Sequence, residues 1–173
     1  MATRQHIRPL HGCVMVGSFH CAQDQLARIH QAFTESGLIE VIWPKATFRF
    51  MDRGADFPRD VTDPPEASSK QLEQRVLTQG IDSERCCFVY LVNPYFDGKP
   101  YFGLDTAYEL GWAGRASKPV YTFERVTTAP VTAHQADGVK TPEEIIAMVR
   151  RGRCPCGRRA GAHQRRAVVV ARA

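Results

Sequence analysis

The chain alternates short, continuous apolar runs with stretches of helical spacing. The runs GCVMV, which starts at Gly12, and CCFVYLV, which starts at Cys86, are typical of strands that are covered on both faces. Two further strands are predicted at LIEVIW (residues 38–43) and PVYTF (residues 119–123). Strands of this kind predict a sheet that is packed on both sides.

Helical spacing fills much of the sequence between these runs. Leu26, Ile29 and Phe33 lie three and four positions apart, which predicts an amphipathic helix that ends at Gly37. Thr141 is followed by Pro and two Glu residues, a pattern typical of a helix start. The predicted helices are residues 22–36, residues 70–79, residues 106–116 and a last helix from Thr141.

The alternation of strands and helices predicts an α/β fold with a doubly wound parallel sheet, that is, a flavodoxin/Rossmann-like three-layer sandwich. In such folds ligands bind in a crevice at the carboxyl ends of the strands. Residues 46–69 are rich in Pro, Asp and Arg and predict a long surface excursion of the sort that often covers a site. We expect one domain over residues 1–150 and a basic, disordered tail over residues 151–173.

The positive charge of the chain is concentrated in that tail. The formal net charge is +5, but seven of the 23 Lys and Arg residues lie in residues 151–173, which contain no acid. The remaining 16 basic side chains stand against 18 acidic ones, so the domain itself is slightly acidic. Because the tail has no interleaved aromatic residues, we expect it to be functionally silent, with nucleic-acid binding as the less favoured alternative.

The sequence also bears on the compartment. No apolar run approaches the roughly 18 residues of a membrane-spanning helix. The first residues, MATRQHIRPLHG, lack the apolar core of a signal peptide. We therefore expect a cytoplasmic protein with no membrane partner.

Six cysteines raise the question of a metal site or a disulfide framework. Cys13, Cys86 and Cys87 lie in the apolar strand runs, where Cys behaves as a small apolar residue. Cys154 and Cys156, together with His163, match none of the usual zinc-ligand spacings. The sequence therefore predicts no metal site.

Polar and small residues follow the predicted strands at the carboxyl edge of the sheet. Gly17 and Ser18 follow the first strand, Asn93 follows the third, and the segment from Gly103 to Glu109 begins the next helix. Gly17 would allow the backbone to approach a ligand closely, and Ser18 could bind a phosphate or a sugar hydroxyl. The alternative for these two residues is a plain turn between a strand and a helix.

Glu109 stands out because a carboxylate among small and apolar residues is costly to desolvate unless it has a partner or a task. Its neighbours Ala107, Leu110 and Gly111 predict a close-packed surface around it. Glu109 could be an exposed helical residue or the partner of Arg115. It could also be a carboxylate directed into the crevice, able to act as a nucleophile at an electrophilic sugar carbon.

Three segments, VMVGSF, FVYLVNP and DTAYELGWAGRASKPVY, resemble the nucleoside 2-deoxyribosyltransferase-like superfamily, which includes nucleoside deoxyribosyltransferases and nucleotide N-glycoside hydrolases. The resemblance covers most of residues 12–150 and is greatest to bacterial members whose third strand ends in an Asn-Pro loop. It implies cleavage or transfer of an N-glycosidic bond without a metal or organic cofactor. It also implies a homo-oligomer.

The resemblance assigns roles to particular residues. Glu109 corresponds to the nucleophile, which forms a covalent glycosyl ester that a second base or water then resolves. Gly17, Ser18 and Phe19 correspond to the substrate loop, and Tyr108 flanks the nucleophile. Asn93 and Gly103 are expected to contact substrate from the neighbouring loops.

The chain departs from this family where many transferases carry Asp-Ser-Gly-Thr. The corresponding residues here are Gly103, Leu104, Asp105 and Thr106. Asp105 lies four residues before Glu109, so the two would share a helix face. It could protonate the leaving base, or it could cap the helix.

A second departure concerns the acid that the family places on the helix before the third strand. Glu73 and Asp82 are the candidate replacements here, with a solvated helix or loop charge as the favoured alternative for each. The missing residues leave open a second function, in which the protein senses a nucleotide as a catalytically inactive binding module.

Overall fold

The computed structural model describes most of the predicted domain. The described residues are 11–17, 22–45, 66–92, 95–96, 99–100, 103–123 and 137–157. Outside them lie the predictions for Ser18, Phe19, Asn93 and His163, most of the excursion predicted at 46–69, and the tail beyond Gly157.

The described part of the chain forms seven strands: β1 His11–Gly17, β2 Ile39–Trp43, β3 Cys86–Val92, β4 Tyr95–Phe96, β5 Lys99–Pro100, β6 Val120–Thr122 and β7 Gly138–Val139. Five of them form the parallel sheet at the core of the fold, in the order β2-β1-β3-β6-β7. The four predicted strands are confirmed, and β7, a short strand with no apolar run, is an addition. A small antiparallel pair, β4 and β5, follows β3.

Helices connect the parallel strands, as the spacing predicts. They are α1 Gln23–Glu35, α2 Ser69–Arg75, α3 Leu104–Arg115 and α4 Pro142–Arg150. α2 continues into a π-helical segment, Val76–Ile81. Capping boxes start α2 and α4, where Ser68 and Thr141 each accept a hydrogen bond from the backbone three residues on. In the described part of the chain, no helix is long and apolar enough to cross a membrane.

The helices cover both faces of the sheet and complete a doubly wound, three-layer arrangement. α1 and α4 pack on one face, against strand residues that include Met15 and Tyr90. α2 and α3 pack on the other, against residues that include Val16 and Leu91. Because successive strand residues point to opposite faces, each apolar run supplies both layers of the core.

The chain leaves β1 toward β2 on one side and returns to β3 on the other, so the carboxyl ends of β1 and β3 flank the topological switch point. Gly17 ends β1 there with a φ of 141°. A Cβ at Gly17 would lie 2.3 Å from the carbonyl oxygen of Val92. The close approach of β3, together with the positive φ, therefore requires glycine at this position.

The packed part of the chain continues past the domain boundary predicted at residue 150. Cys154 is buried, and the hydroxyl of Tyr121 donates a hydrogen bond of 2.7 Å to the carbonyl of Pro155. Cys154, Pro155 and Cys156, which the tail prediction included, therefore pack against the core of the domain.

Candidate functional site

The helix α3 begins at the carboxyl side of the sheet, and Glu109 lies in its second turn. The helix follows the loop after β3, and its Leu110 and Ala113 are fully buried against the sheet. Glu109 lies on the same buried side and is only 6% exposed. The interpretation of Glu109 as an exposed helical residue is therefore wrong. Gly111, predicted to pack beside it, is exposed.

Arg115, the predicted alternative partner of Glu109, is engaged elsewhere. Its guanidinium lies 3.2 Å from a carboxylate oxygen of Asp82 and 4.0 Å from the centre of the Trp112 ring. The Trp112 indole also donates a hydrogen bond of 3.0 Å to Asp82. The prediction that Arg115 pairs with Glu109 is therefore wrong, and Asp82 is occupied by the same contacts.

Instead of a cation, Glu109 has acidic neighbours. Burial raises the pKa of Glu109 well above its ordinary value, and the charges of Glu73 and Asp105 raise it further. Burial and Asp105 also raise the pKa of Glu73, against a smaller lowering by Lys70. Glu73 lies on α2, whereas Asp105 and Glu109 lie on α3, so acids of both helices act on the ionisation of Glu109. We call Glu73, Asp105 and Glu109 the carboxylate cluster.

Within the described ranges, no side chain forms an ion pair or a hydrogen bond with the Glu109 carboxyl group. Burial and the like charges of its neighbours make ionisation of Glu109 unfavourable, so Glu109 retains its proton to higher pH than an isolated acid would. Such a cluster can supply a nucleophile, a proton donor and a stabiliser of positive charge.

Gly17, Gly103 and Asp105 are further predicted site residues that the structure describes. Gly17 lies at the carboxyl end of β1, and Gly103 is the N-cap of α3. Because Gly103 occupies that position and no side chain caps the helix, the capping role proposed for Asp105 is wrong. Asp105 is exposed in the first turn of α3, and its role as an acid stays a prediction.

Tyr108 is on the open side of α3. It is 52% exposed, and its ring centre lies 6.1 Å from that of Trp112. Leu104, one turn before it, is 90% exposed. Glu109 thus points into the protein while an apolar stripe, Leu104 with Tyr108, remains accessible beside it.

The structure separates the two acids that sequence reasoning proposed as replacements on the preceding helix. Glu73 belongs to the carboxylate cluster, whereas Asp82 belongs to the contacts of Arg115 and Trp112. The sequence contains no signal for this choice, because Glu73 within the predicted helix and Asp82 just after it are both acids among polar residues. The packing of α2 against α3 decides it.

Comparisons of the chain with protein-family models, curated proteins and solved structures find no match.

Proposed function

We propose that the protein cleaves or transfers the N-glycosidic bond of a nucleoside, a nucleotide or a related metabolite, with Glu109 as the nucleophile. The observation that supports this proposal is the carboxylate cluster, in which a 6% exposed Glu109 has two acidic neighbours. The helix that carries Glu109 follows β3, one of the two strands that flank the switch point, where open parallel sheets bind small molecules. The family resemblance points to the same residue.

The proposed reaction has two displacements. A carboxylate oxygen of Glu109 attacks the anomeric carbon, the bond from that carbon to the base nitrogen breaks, and its electron pair stays on the nitrogen. A proton from Asp105 or Glu73 neutralises the leaving base. Water or a second base then attacks the glycosyl ester, the Glu109 carboxylate leaves, and the proton given up by the attacking group returns to the acid.

Electrostatics favour this reaction over chemistry that develops negative charge. The sugar ring gains positive charge in the transition state of glycoside cleavage. The carboxylate cluster opposes full ionisation in the free protein, and a positive ring next to Glu109 relieves this repulsion. The interaction is therefore stronger in the transition state than with the neutral substrate, which is the condition for catalysis.

Tyr108 supports binding of the base. An aromatic ring that is 52% exposed next to the nucleophile offers a face on which a planar heterocycle can stack. We propose this role for Tyr108, with Gly17 and Gly103 providing close backbone approach to the sugar.

The test is mass spectrometry of the intact protein after incubation with ribo- and deoxyribonucleosides, with and without phosphate. We expect a sugar-sized adduct and released base with the wild type and neither with Glu109→Ala. Asp82→Asn is the matched control, because it changes an acid outside the carboxylate cluster, and it should retain both signals.

The opposite results are equally informative. An adduct that persists in Glu109→Ala would refute the role of Glu109. If the protein binds a nucleotide without forming an adduct or releasing base, and Glu109→Gln binds it with the same affinity, the result would support the nucleotide-sensing function instead of the enzyme.

A further inference from the structure

A second group of chemically reactive side chains lies away from the carboxylate cluster. His11, Cys87 and Cys154 are all buried, and their ligand atoms lie within 4.8 Å of one another. The sulfur of Cys154 is 3.3 Å from Nδ1 of His11 and also contacts the thiols of Cys87 and Cys156.

An irregularity in β3 gives Cys87 its position. Gly12 pairs with Cys86 and Cys13 pairs with Phe88, so Cys87 is an extra residue in β3. The extra residue puts Cys87 and Phe88 on the same face of the sheet, with Cys86 on the opposite face. Bulges of this kind redirect side chains and occur preferentially near functional sites. Counted back from Phe88, regular alternation would direct Cys87 to the α2 and α3 side.

Cys154 reaches the same place through a defined chain reversal after α4. Gly152 has a φ of 72°, and the amide of Arg153 donates to the carbonyl of Met148, as in a Schellman motif. The amide of Gly157 then donates to the carbonyl of Cys154 at 3.0 Å, which closes a turn. The turn holds the thiol of Cys154 beside His11 at the amino end of β1, with Cys156 two residues further along the chain.

The turn also provides an outer contact of the type that metal-bound sulfur requires. The amide of Cys156 donates a hydrogen bond of 3.4 Å to the sulfur of Cys154. A backbone donor at this position complements the negative charge of a metal-bound sulfur. The hydroxyl of Tyr121 fixes the carbonyl of Pro155 between the two cysteines.

We propose that His11, Cys87, Cys154 and Cys156 bind a structural zinc ion. One imidazole and three thiolates form one of the common closed zinc sites. With Zn–S of about 2.3 Å and Zn–N of about 2.0 Å, neighbouring ligand atoms of a tetrahedral site lie ~3.6–3.8 Å apart. The observed limit of 4.8 Å for His11, Cys87 and Cys154 is therefore within about 1 Å of the required geometry. Binding displaces the protons of the three thiols.

The position of this zinc site indicates a structural rather than a catalytic role. His11 begins β1 and Cys87 lies near the start of β3, at the amino ends of the strands. The seven residues of β1 place this end roughly 20 Å from the carboxyl edge near Glu109. With four protein ligands, the ion would have no open position for substrate. Zinc would instead join β1, β3 and the segment after α4.

The experiment uses the full chain produced with zinc present. We expect stoichiometric zinc by elemental analysis and, after exchange for Co²⁺, the thiolate charge-transfer absorption of a tetrahedral site. In Cys154→Ser we expect zinc affinity to fall by at least about 100-fold, since loss of even an outer partner costs about 10- to 100-fold. Cys86→Ser is the matched control, because Cys86 is equally buried on the opposite face, and it should retain the metal.

A second variant keeps the test decisive if Cys154→Ser does not fold. Cys156 is only half-buried, so Cys156→Ser should remain folded, and we expect its cobalt charge-transfer band to weaken by loss of one thiolate. Wild-type protein that retains no zinc and gives no cobalt band would overturn the proposal. A disulfide between any two of these cysteines in freshly purified protein would overturn it as well.

Discussion

Glu109 is a carboxyl group whose ionisation the fold opposes. Its pKa in the folded chain is raised above its ordinary value of 4.5, so the folded state holds the proton more tightly than the unfolded state does. The stability that this group contributes is complete below its unfolded pKa and is lost as the pH rises through its folded pKa. We expect Glu109→Gln to be more stable than the wild type above this window, by roughly 1–3 kcal/mol.

The measurement is urea unfolding of both proteins from about pH 4 to about pH 8. The stability difference should disappear below pH 4.5, where Glu109 is protonated in both states. Glu66→Gln, a change of an exposed acid, is the control and should follow the wild type. Parallel stability curves for wild type and Glu109→Gln would contradict a strained carboxyl group.

Gly17 is the position at which the fold is expected to tolerate no side chain. Gly17→Ala combines a φ of 141° with a Cβ only 2.3 Å from the Val92 carbonyl oxygen. We expect it to lower the free energy of unfolding by roughly 2–4 kcal/mol. Gly37→Ala is the control, because Gly37 also has a positive φ, 66°, but has open space around it. Its cost should be near 1 kcal/mol, and equal losses for the two variants would show that the clash is relieved.

At the scale of elements, α2 and α3 together control the ionisation of Glu109. After burial, the charge of Glu73 is the largest cause of the raised pKa of Glu109, ahead of Asp105. Glu73→Gln should therefore shift the pH window in which Glu109 costs stability toward lower pH. The measurement compares the free energy of unfolding of Glu73→Gln with that of the double variant that also carries Glu109→Gln. The pH range over which this difference changes gives the window. Asp82→Asn changes an acid outside the cluster and should leave the window in place. An unchanged window in Glu73→Gln would mean that the charge of Glu73 does not raise the pKa of Glu109.

The elements themselves were largely predictable from apolar periodicity. Long continuous runs such as CCFVYLV gave the central strands, and the cap at Thr141 gave the start of α4. β7 was not predicted, because a strand of two residues has no detectable period. The bulge at Cys87 was not predictable either, since register between β1 and β3 depends on packing rather than on either run alone.

The same limit applies to the two groups of functional candidates. Glu109 was identified because its chemical character conflicts with its local surroundings, which a single sequence shows. The carboxylate cluster and the grouping of His11 with Cys87 and Cys154 depend on long-range packing. The spacing of Cys154 and Cys156 can indicate only ligands that are close in the sequence. It therefore does not indicate that His11 and Cys87 lie beside Cys154.

At the scale of the whole molecule, the segment 151–157 tests where the folded unit ends. A chain that ends at Arg150 loses the buried Cys154 and the hydrogen bond from Tyr121 to Pro155. A chelator is added so that packing alone is measured. Under these conditions we expect the free energy of unfolding to be roughly 2 kcal/mol lower than for a chain that ends at Gly157. The comparison requires urea unfolding of the two truncated proteins under identical conditions. Equal stabilities would restore the domain boundary predicted at residue 150, whereas the expected loss makes the Cys154 turn part of the domain.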